Sequence, residues 1–206
     1  MKRIYNLDLP VIAITGGIAT GKSYVSKTLK DQGEDVLDAD ALVKEIYSFP
    51  ETIEWLEKVF PESIQDKKIN FKKLRQAFFK KEKLKKKIEL FIYPRLESLF
   101  LKKVSNEMQY VFYDVPLLYE KRLHTQVDAV ILVHCKRSEQ IRRLCKRDSI
   151  DEELAKVIIE NQLDIDWKKK QENYKINNDL TEQNEFKDLD SLIIKTVNQI
   201  KKDLKI

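Results

Sequence analysis

The sequence predicts an α/β protein: a five-stranded parallel sheet flanked by helices, carrying a phosphate-binding loop, a helical substrate-binding insertion and a helical lid. Three observations carry that prediction. The β-forming run Val11–Thr15 leads directly into Gly16-Gly17-Ile18-Ala19-Thr20-Gly21-Lys22-Ser23, the pattern G-x-x-x-x-G-K-[ST]. Short apolar stretches alternate with helical ones, which implies parallel strands joined by right-handed crossovers. The helical pattern at about 48–108 is too long for a simple crossover between the second and third strands.

Bulk properties narrow the class. A chain of 206 residues can bury a real core as one domain. Its expected parts are a core at about 1–47, 109–135 and 173–206, the insertion at about 48–108 and the lid at about 136–172. Apolar content of 42% is ordinary, and 35% charged residues exceeds the usual ~25%. With 39 basic and 34 acidic residues, the net charge of +5 reads as a solvated, lysine-rich surface rather than a nucleic-acid binder. The same field favours a phosphate-rich small ligand. Cys135 and Cys145 form no C-x-x-C and have no zinc spacing, which points to a reduced, cytoplasmic setting. Met1–Pro10 contains Lys2, Arg3 and Asp8 and reads as a short leader, not a signal peptide. No stretch approaches the ~18 apolar residues of a membrane span.

The loop pattern has a mechanism. Its glycines let the backbone turn tightly and aim successive N–H groups into one concavity. The following helix, expected over Ser23–Lys30 from Val25 and Leu29, adds the positive end of its dipole. Lys22 then reaches the outer phosphates and Ser23 serves as a Mg²⁺ ligand. The loop residues from Gly16 to Ser23 are therefore the candidate nucleotide-binding set.

The second strand, Asp35–Asp38, hands over to a helix expected at Asp40–Tyr47, with Asp40 as its cap. Asp38 ends the strand, at the edge where α/β sheets bind ligands, and is the candidate for chemistry. Pro50–Phe60 reads as a helix, Pro61–Lys68 as a polar stretch, and Asn70–Ile92 as a helical segment with a solvated face of Lys80, Lys81, Lys83, Lys85, Lys86 and Lys87. Tyr93-Pro94 is expected to break that segment before a further helix at about Arg95–Glu107. Tyr110–Val115 is the third strand, whose Asp114 is a candidate Walker-B acid and metal ligand. Ala129–His134 is the apolar run of a strand buried on both faces. Ser138–Arg147 reads as a helix that sets Arg143 and Arg147 on one face, with Arg142 beside them. Ser149-Ile150-Asp151-Glu152 reads as a capping box for a helix to about Gln162, giving the two-helix lid. Tyr174–Asn177 is the fifth strand, turning at Asn178-Asp179. Ile193, Val197, Ile200 and Leu204 form the core stripe of a closing helix.

Taken together, Ile14–Ser23, Asp38-Ala39-Asp40, Val115-Pro116-Leu117-Leu118-Tyr119-Glu120, Arg143 and Arg147-Asp148 resemble the dephospho-CoA kinase family over about residues 11–178. The resemblance implies a phosphate-loop kinase that uses ATP and Mg²⁺ to phosphorylate the ribose 3′-hydroxyl of dephospho-CoA. It implies Asp38 at the acceptor hydroxyl, Arg147 as the lid arginine with Arg143 beside it, and Asn178 near the adenine. Asp40, Pro116, Leu117, Leu118 and Glu120 are implied on the acceptor side, and Lys22, Asp38 and Arg147 as the catalytic set. The family's usual Gly is Ala19 here, at a position free in the general pattern and so expected to be harmless. Its His-Pro is Tyr93-Pro94, and its Asp-Asn-x-Gly is Asn177-Asn178-Asp179-Leu180. The expected partner is the small-molecule acceptor alone, with no nucleic acid or membrane, in a monomer or weak homo-oligomer. A nucleoside or nucleotide monophosphate kinase is the nearest alternative. A non-enzymatic nucleotide switch is more distant, since the chain lacks Asn-Lys-x-Asp.

Overall fold

β1 (Val11–Gly16) is buried at every residue and lies at the centre of a five-stranded parallel sheet. A computed structural model of the chain describes residues 2–172, 174–179 and 185–206. Leu180, part of the altered adenine-side motif, lies outside the described residues. The remaining strands are β2 (Val36–Asp38), β5 (Val111–Asp114), β6 (Ala129–His134) and β7 (Tyr174–Asn177), in the order β2-β5-β1-β6-β7. Ile14 stands opposite Asp114 on one side and Ile131 on the other. That register brings the acid closing β5 level with the end of β1, where the loop begins.

Two compact units make up the chain: residues 1–37 with 106–206, and residues 38–105. In the first, α1 (Lys22–Asp31) and the closing helix α9 (Glu185–Leu204) pack through Val25, Leu29, Leu189, Ile193, Val197 and Ile200 onto Ile12, Phe112, Ile131 and Ile176. The expected closing stripe is thus core. Three further helices belong to this unit: α6 (Arg137–Asp148), α7 (Glu152–Glu160) and α8 (Ile165–Gln171). Of these α8 was not foreseen. The expected capping box is also corrected. Ser149 is the left-handed C-cap of α6 (φ 54°), and α7 is capped by Asp151, whose carboxylate accepts from the Leu154 amide at 2.8 Å.

The second unit holds α2 (Ala39–Ser48), α3 (Pro50–Val59), the hairpin β3 (Ile64–Gln65) and β4 (Lys68–Ile69), α4 (Phe71–Lys80) and α5 (Glu82–Lys103). α2, expected to end the first core segment, belongs here instead; it buries Leu42 and Ile46, and its Glu45 pairs with Lys103 of α5 at 3.0 Å. The polar stretch after α3 is the hairpin, turned by Asp66 and Lys67, both with positive φ as a two-residue turn requires.

The expected break at Tyr93-Pro94 is not there. The helical segment is interrupted at Lys81, and α5 runs through Pro94. A buried stripe at four-residue spacing, Leu84, Ile88, Ile92, Leu96 and Phe100, continues on both sides of the proline. Its burial outweighs the hydrogen bond that Pro94 cannot give to the Leu90 carbonyl. Arg95 reinforces the turn: Nη1 donates to the Phe91 carbonyl at 3.0 Å, and the guanidinium lies 3.5 Å from the Phe91 ring centroid. Trp55 stacks on the same ring at 4.0 Å. Because the proline works against an otherwise continuous helix, Pro94→Ala should stabilise the protein by about 1–3 kcal/mol in urea unfolding. No gain would mean that α5 is bent there for a reason the stripe does not supply. Among the described residues, no helix is long and apolar enough to cross a membrane.

Candidate active site

The loop between β1 and α1 is shaped by contacts that only small residues allow. A Cβ on Gly16 would sit 2.5 Å from the Val133 carbonyl oxygen. Gly21 has φ +92°, and a Cβ there would meet Asn178 Nδ2 at 1.9 Å. Thr20 is buried and closes the loop on itself, its hydroxyl donating to the Gly17 carbonyl at 2.8 Å. α1 starts at Lys22, and its hydrogen bonding begins with the Tyr24 amide on the Gly21 carbonyl at 3.0 Å, which leaves the N–H groups of Lys22 and Ser23 for an anion.

Ala19 takes up a backbone conformation that the motif by itself does not reveal. Its φ is +59°, in the left-handed region where an alanine Cβ crowds the carbonyl oxygen and glycine does not. The position is free in the motif, but this loop demands a conformation that favours glycine.

Lys22 reaches Asp114 and forms an ion pair with its Oδ1. Asp114 is 1% exposed, and its Oδ2 accepts from the Ser26 hydroxyl at 2.6 Å. The predicted strand-end acid therefore sits on the loop lysine, one helical turn from Ser23, whose side chain is exposed.

α6 contributes the next set. Arg143 spans three elements: Nε donates to Glu139 at 2.8 Å, Nη2 to the Asn178 carbonyl at 2.9 Å and Nη1 to the Thr20 carbonyl at 3.5 Å. Glu139 is buried and lies below the usual carboxylate range, chiefly through its hydrogen bond from Arg142; Arg143 adds to this against the opposing effect of burial. Asn178 is also buried and donates from Nδ2 to the Thr20 carbonyl at 2.8 Å. Arg143 and Asn178 thus grip the loop from behind. Arg147 does not join them. It forms a two-point pair with its neighbour Asp148, at 2.7 and 2.9 Å, on the surface. That bond holds the Arg147 guanidinium above its ordinary pKa and the Asp148 carboxyl below its own.

The acceptor-side residues divide. Asp38, not Asp40, caps α2: its Oδ1 accepts from the Ala41 amide at 3.0 Å, because the helix starts one residue earlier than expected. Asp40 lies exposed in the first turn. In the turn after β5, Pro116 is half-buried and its carbonyl accepts from the Thr15 hydroxyl at 3.2 Å. Leu117 is 40% exposed, whereas Leu118 is wholly buried, so its side chain belongs to the core. Glu120 Oε1 accepts from the fully buried Lys168 at 2.8 Å and from the Leu163 amide at 3.2 Å. Beside it, Tyr119 donates to Glu172 at 2.5 Å; burial raises both the phenol and that carboxyl.

Three loop or lid contacts escaped the sequence reading: Gln140, Gln162 and Lys168. Gln140 had a visible signal, since it falls on the Arg143–Arg147 face of α6 at spacing three and four. Gln162 and Lys168 had none: Gln162 lies in the link between α7 and α8, and α8, which carries Lys168, was not foreseen.

Residues 10–184 match the family model for dephospho-CoA kinase. A dephospho-CoA kinase of Fusobacterium nucleatum is 32% identical over 184 residues, covering 88% of this chain and 95% of that protein. One from Shouchella clausii is 32% identical over 195 residues, covering 91% and 99%. Among solved structures, TT1252 from Thermus thermophilus superposes with a TM-score of 0.82 at 27% identity, over 93% of this chain and 97% of that one. A dephospho-CoA kinase from Campylobacter jejuni gives 0.68 at 25% identity, over 94% and 98%. A shikimate kinase from Acinetobacter baumannii, 17% identical with a TM-score of 0.51 over 93% and 94%, shares the fold.

Proposed function

The chain belongs to the dephospho-CoA kinase family, and from that membership we infer that it transfers the γ-phosphoryl group of ATP to the ribose 3′-hydroxyl of dephospho-CoA, giving coenzyme A and ADP. The observation that carries the donor half of this reading is the loop from Gly16 to Ser23 with Lys22 held on Asp114. Phosphoryl transfer asks little covalent chemistry of a protein, so positioning and charge neutralisation carry most of the catalysis.

In the proposed reaction the loop amides and the start of α1 cradle the phosphates. Lys22 leaves Asp114 for the β- and γ-phosphate oxygens. Ser23 and Asp114 offer hard oxygen ligands of the kind Mg²⁺ takes. Among the described residues, no group of three or more His, Cys, Asp or Glu side chains forms a metal cage, so such an ion would complete its shell with phosphate and water oxygens. A bound Mg²⁺ supplies neutralisation of charge on the phosphates. Asp38 orients the ribose hydroxyl and accepts its proton as the new O–P bond forms and the bond to the ADP oxygen breaks. Arg147, once released from Asp148, meets the migrating group. Arg143 and Asn178 set the loop and flank the adenine. Asp40, Pro116, Leu117 and Glu120 are proposed on the acceptor side. Leu118 is left out because its side chain is buried.

The helical insertion at about 48–108 is proposed to receive the acceptor, and the helices at about 136–172 to close as a lid. Two free cysteines, Cys135 and Cys145, accord with a proposed cytoplasmic setting. The proposed state is a monomer or weak homo-oligomer.

A coupled ADP assay with dephospho-CoA, adenosine and AMP as acceptors tests the reading. Turnover confined to dephospho-CoA is expected; preference for adenosine or AMP would favour the nucleoside- or nucleotide-kinase alternative. In the same assay Lys22→Ala should cost about 10²–10³-fold in kcat, the loss typical of one preorganised charge-stabilising donor, and should weaken ATP binding. An enzyme indifferent to that change would remove the donor half.

A further inference from the structure

Ile18, in the loop, has both its backbone N–H and its backbone carbonyl held by side chains. Its carbonyl accepts from Gln140 Nε2 at 2.9 Å, and its N–H donates to Gln162 Oε1 at 2.8 Å. The two glutamines come from different elements: Gln140 from α6, and Gln162 from the link between α7 and α8. Both are themselves held in place. Gln140 is 2% exposed, and a Cβ on Gly17 would come within 2.7 Å of its Nε2. The backbone next to Gln162 is fixed at Leu163, whose amide donates to Glu120, and Glu120 is in turn bound by the fully buried Lys168. The Ile18 carbonyl shares its peptide with Ala19, which stands at φ +59°.

We propose that Gln140 and Gln162 are positioning residues: together they fix the two peptides that flank Ile18 and so hold Ala19 in the left-handed conformation that the phosphate loop needs and that a glycine would adopt unaided. An alanine left to itself prefers the right-handed or extended regions. Reaching either from the conformation seen here turns the peptides flanking residue 19, and with them the N–H groups aimed at the phosphates. Gln140 holds the carbonyl of the peptide between Ile18 and Ala19, and Gln162 holds the N–H of the peptide before it, so that turn is blocked. Because Gln162 belongs to the lid segment and is anchored through Glu120, the loop is set by the same framework that carries the turn after β5.

This inference rests on the reading that the loop holds the phosphates of ATP. The test is steady-state kinetics with ATP and dephospho-CoA varied separately, in an alanine-19 and a glycine-19 background. Gln140→Met and Gln162→Met keep side-chain length and remove the hydrogen bond. With Ala19 present, each should raise KM for ATP about three- to tenfold, the range one net hydrogen bond spans, and leave KM for dephospho-CoA within about twofold. In the Ala19→Gly background the same substitutions should raise KM for ATP less than about twofold. An equal rise in both backgrounds, no rise in either, or a rise in KM for dephospho-CoA instead would overturn the proposal. If Gln140→Met fails to fold, as thermal melting would show, the partly exposed Gln162→Met decides the matter alone. Lys22→Ala separates the two layers: indifference to it removes the ATP reading, whereas a crippled Lys22→Ala beside unaffected glutamine variants removes only the clamp.

Discussion

Replacing Arg147 with alanine is expected to lower kcat by about 10³–10⁵-fold, the scale of an arginine supplied to a phosphoryl-transfer transition state. KM for ATP should move far less, since the interaction forms only as charge spreads over the migrating group. Arg147 and Arg143 lie on one face of α6 but have different employment. Arg143 is spent on the Thr20 and Asn178 carbonyls and on Glu139, which makes it a brace for the loop. Arg147 is tied to the adjacent Asp148, at the surface, and its two-point pair is exposed enough to be cheap to break. A guanidinium that exchanges one carboxylate for a phosphoryl oxygen pair keeps its planar, two-point geometry throughout. Arg147→Lys should therefore recover little of the lost rate. Single-turnover measurement of ADP release would check both variants; kcat within about tenfold of the parent for Arg147→Ala would assign the transition-state charge elsewhere.

Asp38→Asn should lower kcat by about 10²–10⁴-fold, the usual worth of a positioned base, with ATP binding retained. The structure makes this substitution unusually clean. Asp38 caps α2 by accepting from the Ala41 amide, and asparagine caps as well as aspartate does. The helix is then preserved while the proton acceptor is lost. Asp38→Ala removes both, adding about 1 kcal/mol of lost capping to the catalytic defect. The diagnostic result is a melting temperature for Asp38→Asn close to that of the parent beside a collapsed kcat. Near-normal turnover in Asp38→Asn would leave Asp38 as a cap and nothing more.

Much of the molecule was legible because the relevant signals are local. Val11–Thr15 reads as a strand from its own side chains, and the apolar run at Ala129–His134 reads as one buried on both faces. Gly16, Gly21 and Lys22 announce the loop by spacing alone. Where local signals competed, the sequence reading chose wrongly. Proline at 94 is a helix breaker by itself, yet five buried residues at four-residue spacing carry α5 past it. Asp40 and Ser149 are good caps by type, but where a helix starts is set by packing, and Asp38 and Asp151 took the role. Ala19 sat in a free position of the motif, and only the folded loop shows the left-handed backbone it must adopt.

By itself, then, the sequence determined the α/β order, the loop and its lysine, and the family, since each follows from residue type at short range. The tertiary structure alone decided what holds that loop. Gln140 and Gln162 reach Ile18 across 122 and 144 residues, and Asn178 reaches Thr20 across 158. Periodicity puts Gln140 on the face of Arg143 and Arg147 but names no partner for it, and Gln162 and Asn178 have no periodic signal; these bonds exist because the parallel register sets the ends of β1, β5, β6 and β7 side by side and the helices that follow must pack on the same edge.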